Sequence, residues 1–321
     1  MHAPIQISLP TSFMVGPVNT YLLKEPEPIL IDCGLKWSAS QHTLRDGLAE
    51  HGLALSDIRR VVITHAHVDH IGAAGWLAGE SGAEIWVSEL VQAWATDVRD
   101  RWAERTAFIR GVLDKTGMAK EEQRGVMRYF RSIPELWDGV PTEQVRTFAK
   151  DGELEMGGGA WQVLHLPGHA AHQTGFWNAE HGWLFSADCL LPRTPVPVIE
   201  VDSADPTRRS PGLPLHIQSL KRLADLPVTC VYPGHGDPFD NHRALIRGQI
   251  ERIHQRKEQC FALIQNGHAT LPALTESMYG HYPPAGRFTG MSTVIGYLDL
   301  LKIEDRVTEY EVDGVWHYAT N

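Results

Sequence analysis

The chain has 321 residues, 43% of them hydrophobic and 21% charged, and carries a formal net charge of -10. That length allows two domains or one large one, and that balance is an ordinary globular one. The charge gives no global support for a polyanionic partner, although a local basic groove stays compatible with it. No run of 18 apolar residues offers a membrane span, and "MHAPIQISLPTSF" lacks the basic and long apolar regions of a signal peptide, so a cytoplasmic location is the expectation. Cys33, Cys189, Cys230 and Cys260 lie far apart and form no CxxC pair; each reads as a small buried residue.

The first segments, "QISL", "NTYLLK" and "PILIDCG", are β-rich runs separated by Pro and Gly. "SASQHTLRDGLAEHG" has helical spacing and stops at Gly52. "RRVVITH" is a continuous apolar strand, "HIGAAGWLAGES" a helix and "AEIWVSE" the next strand. This alternation predicts a layered α/β core. Residues 89 to 145 break the rhythm with helical spacing, many charges and the aromatics Trp94, Trp102, Phe108, Tyr129, Phe130 and Trp137. They read as two or three inserted helices whose aromatics either pack onto the body or form a lid over a cleft.

"VRTFAKDGELEM" predicts a hairpin around Asp151-Gly152, and "AWQVLHLPG" and "GWLFSADCLL" predict further strands. Residues 192 to 214, with six prolines, read as a long loop. "LHIQSLKRLADL" is a helix and "VTCVYPGHGD" a strand entering a loop. From Asn241 the texture changes: one long helix closed by Gly267, helical segments near 271–280 and 291–302, and a hairpin around Asp313-Gly314 in "RVTEYEVDGVWHY". Residues 1–240 are therefore expected to form a catalytic domain, and 241–321 a small winged-helix-like domain.

The chemistry begins at "THAHVDHIGAAG", residues 64 to 75. Three histidines and an aspartate within six residues, directly after an apolar strand, are a metal-ligand pattern rather than a core pattern. Later strands end on the same residue types: His169 in "LPGH", Asp188 in "SAD" and His235 in "YPGH". Sites in open α/β folds collect at such strand ends. The seven residues His65, His67, Asp69, His70, His169, Asp188 and His235 suit two metal ions. The histidine-rich set favours Zn, with Mn or Fe also compatible. An extended segment puts His65 and His67 on one side, and Asp69 with His70 then begins a helix.

"HAHVDH", "PGH", "SAD" and "PGHG", in this order, resemble the metallo-β-lactamase-fold hydrolases. The resemblance implies a four-layer αβ/βα sandwich with His65, His67 and His169 on a first metal, Asp69, His70 and His235 on a second, and Asp188 bridging. It also implies that Asp32 of "ILIDCG" orients a ligand histidine; a turn-forming role before Gly34 is the alternative. A bridged pair of ions would make hydroxide available at neutral pH, with Asp69 placed to orient it or carry its proton. The run "PGHAAHQTG" departs from the family's usual "PGHTPGS", and His172 there either hydrogen-bonds substrate or fills the cleft wall.

The layout after "YPGHGDP" is similar to the subfamily with a C-terminal winged-helix domain, whose members include a single-strand-specific endoribonuclease and thioester hydrolases. Residues 241–321 hold eight Lys and Arg against nine Asp and Glu, so the tail is not basic overall. "MSTVIGYLDLL" reads as packing against the core or a partner subunit, the latter implying a homodimer. The helix carrying His242, Arg243, Arg247 and Lys257 could instead guide a phosphate backbone toward the cleft. On that helix the reading leans toward single-stranded RNA as substrate. The alternative is a small acyl substrate such as a thioester or lactone, as in glyoxalase II. A non-catalytic metal-binding protein comes last, because all seven ligand positions are filled.

Overall fold

The computed structural model describes residues 2–192, 199–202, 208–281 and 284–321, excepting the side chains of 284 and 285. Six strands, β1 (Ile5–Leu9), β2 (Val18–Leu23), β3 (Ile29–Ile31), β4 (Arg60–Ile63), β5 (Glu84–Ser88) and β6 (Val145–Phe148), form one sheet in chain order. The first two pairings are antiparallel and the next three parallel. A second sheet runs β11-β10-β9-β8-β7, built from β7 (Glu153–Met156), β8 (Gly159–His165), β9 (Thr174–Asn178), β10 (Trp183–Ala187) and β11 (Cys230–Pro233). Only β10 and β11 are parallel in it.

Alternation along the strands makes the layers, because successive side chains point to opposite faces. Ile29 and Ile31 of β3, Trp161 and Val163 of β8 and Phe185 of β10 face one another in a core between the sheets. Leu30, Val61 and Ile63 face outward onto Leu44 and Leu48 of helix α1 (Ser38–Glu50) and Leu77 of α3 (Ala74–Ser81). Leu164, Leu184 and Val231 face Leu220 and Leu223 of α7 (Gly212–Ala224) and Ile246 of α8 (His242–Gln265). The result is the four-layer αβ/βα sandwich.

The predicted hairpin around Asp151-Gly152 is corrected. β6 pairs with β5 in the first sheet and β7 with β8 in the second, so these residues carry the chain from one sheet to the other. Asp151 is held there, accepting from the His165 amide at 3.1 Å and facing Arg222 at 2.9 Å. The hairpin lies one turn later. Gly157 and Gly158, with φ of +60° and +77°, join β7 to β8 in a turn that asks for left-handed residues at both central positions.

The inserted segment forms α4 (Gln92–Thr96), α5 (Val98–Lys115) and α6 (Lys120–Ser132) between β5 and β6. In the region read as a Pro-rich loop, Pro195, Pro197 and Pro206 lie outside the described residues. The loop also ends earlier than expected, because α7 starts at Gly212 and takes Pro214 into its first turn, where a missing N–H costs nothing.

The tail forms α8, α9 (Leu271–Tyr279) and α10 (Pro284–Ile303), then a hairpin of β12 (Val307–Val312) and β13 (Val315–Thr320). α10 starts well before the expected residue 291. Within "MSTVIGYLDLL", Met291, Val294, Ile295, Leu298 and Leu301 are buried in the chain's own core. That settles the packing alternative: this apolar run is not a free surface for a partner subunit. No helix among the described residues is long and apolar enough to cross a membrane.

Candidate metal centre

The site is assembled where strands of both sheets end. β4 stops at Ile63, and the extended segment after it presents His65 and His67 before α2 (Val68–Ile71) carries Asp69 and His70. His169 follows β8, Asp188 follows β10 and His235 follows β11. Thus the structure brings all seven sequence-derived residues together. His67 Nδ1 lies 3.0 Å from His65 Nε2 and 2.8 Å from His169 Nε2. Asp188 Oδ1 lies 3.4 Å from His70 Nε2, and its Oδ2 lies 3.4 Å from His169 Nε2 and 3.5 Å from His235 Nε2. His235 Nε2 is also 3.5 Å from Asp69 Oδ2. The ligand atoms fall into three overlapping groups: His65, His67 and His169; His65, His70 and Asp188; Asp69, His70 and His235.

The approach of the backbone here is close. A Cβ on Gly234 would lie 2.1 Å from Asp188 Oδ1, so only glycine fits beside that carboxylate in "YPGH". Ala187, just before Asp188, holds a φ of +45°, a conformation rare for a residue with a side chain and one that clusters at functional sites.

The other ring nitrogens of His65, His70 and His235 are committed elsewhere. His70 Nδ1 donates to Asp32 Oδ2 at 2.7 Å, and His235 Nδ1 to the Pro17 carbonyl at 2.7 Å. Thr64 Oγ1 lies 2.9 Å from His65 Nδ1 and donates to Asp32 Oδ2 at 2.9 Å. Asp32 also accepts from the Thr64 amide at 2.8 Å, so its carboxylate ties His70 to the His65 segment. Asp32 sits at φ +62° as well, so the turn and orienting roles coincide. Fixing one imidazole nitrogen sets which one faces the centre.

Three of the atoms that face the centre lack partners. His70 Nε2, His235 Nε2 and Asp188 Oδ1 are buried and make no hydrogen bond. Buried polar atoms are normally satisfied, and this convergence of imidazole and carboxylate donors fits divalent metal ions.

The electrostatics divide the site. Burial and the neighbouring histidines hold His65 well below its ordinary value, and burial pushes His169 down to about 3. Burial also opposes charge on His235, but the Asp188 and Asp69 carboxylates prevail and raise it to about 10. His70 is raised by Asp188 and Asp32 against the same burial cost. In the metal-free protein at pH 7, His65 and His169 are therefore neutral donors, while His235 holds a proton that a metal must displace. Metal uptake at the Asp69, His70 and His235 group is expected to release protons, and its affinity to rise with pH up to about 10. Calorimetric titration in buffers of different ionisation enthalpy reads this directly; buffer-independent heats at pH 7 would contradict it.

Sequence reasoning missed Glu200. It lies in the Pro-rich stretch with no motif around it, yet it is 5% exposed and its Oε1 is 3.7 Å from His67 Nε2. It accepts from Arg105 of α5 at 2.8 Å and from the Ala171 amide at 2.6 Å. Glu200 thus lies beside His67 at ion-pair distance, without the direct hydrogen bond that Asp32 makes to His70, and Arg105 ties the inserted helices to it. Glu200→Gln is expected to weaken metal binding about 10- to 100-fold, measured by chelator competition; wild-type affinity would remove this role.

His172 joins the cleft wall. Its ring centroid lies 6.0 Å from that of Trp94 and 6.5 Å from that of His67. The basic candidates on α8 do something other than expected. His242 is buried, and its ring donates to the Leu226 carbonyl at 3.2 Å. Arg243 donates to the Ala224 and Leu226 carbonyls at 3.0 Å each, capping the end of α7. Lys257 is buried against Glu304 and Glu258. Arg247 is exposed. The first two donate to the C-terminal carbonyls of α7, which need donors. Of the cysteines, three are buried and Cys230 is half-buried, and none joins a metal group among the described residues.

A four-layer αβ/βα sandwich with such a histidine and aspartate cluster at its strand ends defines a metal-dependent hydrolase. The family model of the Metallo-beta-lactamase superfamily matches residues 14–235, and the chain belongs to that superfamily. It is 29% identical over 325 residues to "Probable metallo-hydrolase YqjP" of Bacillus subtilis (strain 168), covering 98% of this chain and 97% of that protein. It is 22% identical over 296 residues to the atrochrysone carboxyl ACP thioesterase of Aspergillus fumigatus, covering 85% of this chain and 72% of that one. Among solved structures, a metallo-beta-lactamase family protein of Thermus thermophilus superposes with a TM-score of 0.80 at 24% identity, over 99% of this chain and 98% of that one.

Proposed function

We propose that this hydrolase cleaves acyl thioesters, with His65, His67 and His169 holding one ion, Asp69, His70 and His235 the other, and Asp188 shared between them. Divalent ions there, zinc first among them given the histidine-rich set, would supply Lewis acidity and make hydroxide available near neutral pH. Asp69, 7% exposed and opposite His235, is placed to take up the proton of the attacking water. Asp32 keeps His70 oriented, and Glu200 supplies a carboxylate beside His67.

The observation that carries the substrate class is the exposure of apolar side chains on segments that lead into the centre. Four exposed large apolar side chains, Met14, Val15, Trp37 and Tyr129, sit on segments joined to the centre. The Met14 and Val15 loop leads into Pro17, whose carbonyl holds His235. Lys36, beside Trp37, donates its amide to the Leu136 carbonyl, and Cys33 of the same segment bonds the His70 carbonyl. Tyr129, on α6 of the inserted segment, packs edge-on against the Phe130 ring at 5.7 Å. Exposed apolar side chains there suit an acyl group, whereas a polynucleotide asks for a continuous cationic track, and α8 spends His242, Arg243 and Lys257 internally. The thioesterase relative is consistent with this reading.

The full-length chain loaded with zinc or manganese is to be tested on thioesters, lactones, single-stranded RNA and duplex RNA. The reading expects rapid thioester turnover and intact RNA. Cleavage of single strands beside untouched thioesters would transfer the function to a ribonuclease.

A further inference from the structure

We infer that the groove between α5 and α6 binds the anionic, phosphate-bearing arm of the thiol that carries the acyl group. This rests on the thioester reading and names the other half of its substrate. The groove has a volume of about 500 Å³. Trp102 and Phe130, both buried, lie at its base with Pro134 beside them. Three exposed arginines, Arg99, Arg110 and Arg131, line it. Among the described residues none of the three forms an ion pair, whereas Arg101 and Arg124 on the same helices do. Three unneutralised guanidinium groups around an apolar base, in a chain of net charge -10, complement an amphipathic anion.

Two links connect this groove with the metal cleft. The Trp102 ring is 6.0 Å from Trp94, and Trp94 is 6.0 Å from His172 on the cleft wall. Arg105 of the same helix as Trp102 reaches Glu200 at 2.8 Å, and Glu200 Oε1 lies 3.7 Å from His67 Nε2. The helices that carry the arginines are thus packed directly onto the wall of the metal cleft. Three cations around one pocket of this size suit a single short anionic arm rather than a run of nucleotide phosphates.

The test compares two thioesters with the same acyl group, one on a pantetheine-type thiol ending in a phosphate, the other on the same thiol without it. Wild-type metal-loaded enzyme is expected to favour the phosphorylated substrate about tenfold or more in kcat/KM, the range of hydrogen bonds to charged groups. The preference should shrink with added salt and fall toward unity in Arg99→Ala, Arg110→Ala and Arg131→Ala combined. Charge reversal with Arg110→Glu should reduce the preference more than Arg110→Ala does. Equal kcat/KM for both substrates in the wild type, or an unchanged ratio in the triple variant, overturns the assignment. Binding of a non-hydrolysable thioether of the phosphorylated thiol, measured by calorimetry, keeps the groove testable if no thioester is hydrolysed. Arginine-dependent binding without hydrolysis would support the groove and sink the thioesterase reading. No binding, or displacement of a basal signal only by single-stranded RNA, would sink the groove.

Discussion

Asp188→Ala is expected to lose most bound metal and all hydrolysis. Among the described residues, Asp188 is the carboxylate that faces His70, His169 and His235 together, at 3.4 Å, 3.4 Å and 3.5 Å. It is 4% exposed, and although burial opposes its charge, His70 and His235 hold it well below the usual carboxylate range. Removing it leaves buried cations without their common anion, and breaking such a pairing costs about 3–5 kcal/mol even between protein groups alone. Asp188→Asn keeps the shape beside Gly234 and removes only the charge, so it should fail similarly. Elemental analysis and turnover read both effects. A fully active alanine variant with two ions per chain would overturn the shared role of Asp188.

The second large effect is expected at Asp69. Its carboxylate is buried, and the charges of His70 and His235 keep it below its ordinary value against the cost of burial. It is therefore ionised and ready to accept a proton across the working pH range. Asp69→Asn should lower kcat by about 100- to 10,000-fold, the span of positioned acid–base groups, and change the acid limb of the pH–rate profile. Because Asp69 also faces His235, metal content must be measured beside the rate. Loss of kcat proportional to lost metal would make Asp69 a ligand only, and unchanged kcat would remove it from the reaction.

The contacts of the inserted helices give residues 89–145 a route by which they bear on the centre. Arg105 holds Glu200, Glu200 lies beside His67, and Trp94 packs against His172. The packing reading of the aromatics holds for Trp102, Phe130 and Trp137, which are buried. Tyr129, half exposed, faces outward from the same helix as Phe130.

The ligand set was legible in the amino-acid sequence because metal chemistry admits few side chains. Local spacing then decides whether two of them share a side, as with His65 and His67, and strand ends are visible as apolar runs meeting Gly, Pro or Asp. The final hairpin at Asp313-Gly314 was legible for a similar reason: left-handed φ of +50° and +78° at adjacent residues selects those types locally. Strand partners were not legible. "VRTFAKDGELEM" looks like one hairpin because both halves have strand character, but pairing energy lies in neighbours far along the chain, and β6 and β7 found theirs in different sheets. β9 escaped notice because it is five residues long with Gly175 inside it, which weakens the local signal. Glu200, Arg105 and the capping roles of His242 and Arg243 depended on tertiary structure alone. A carboxylate becomes an orienting group, and an arginine a cap, only through what the fold places within hydrogen-bonding distance; no local pattern encodes that distance.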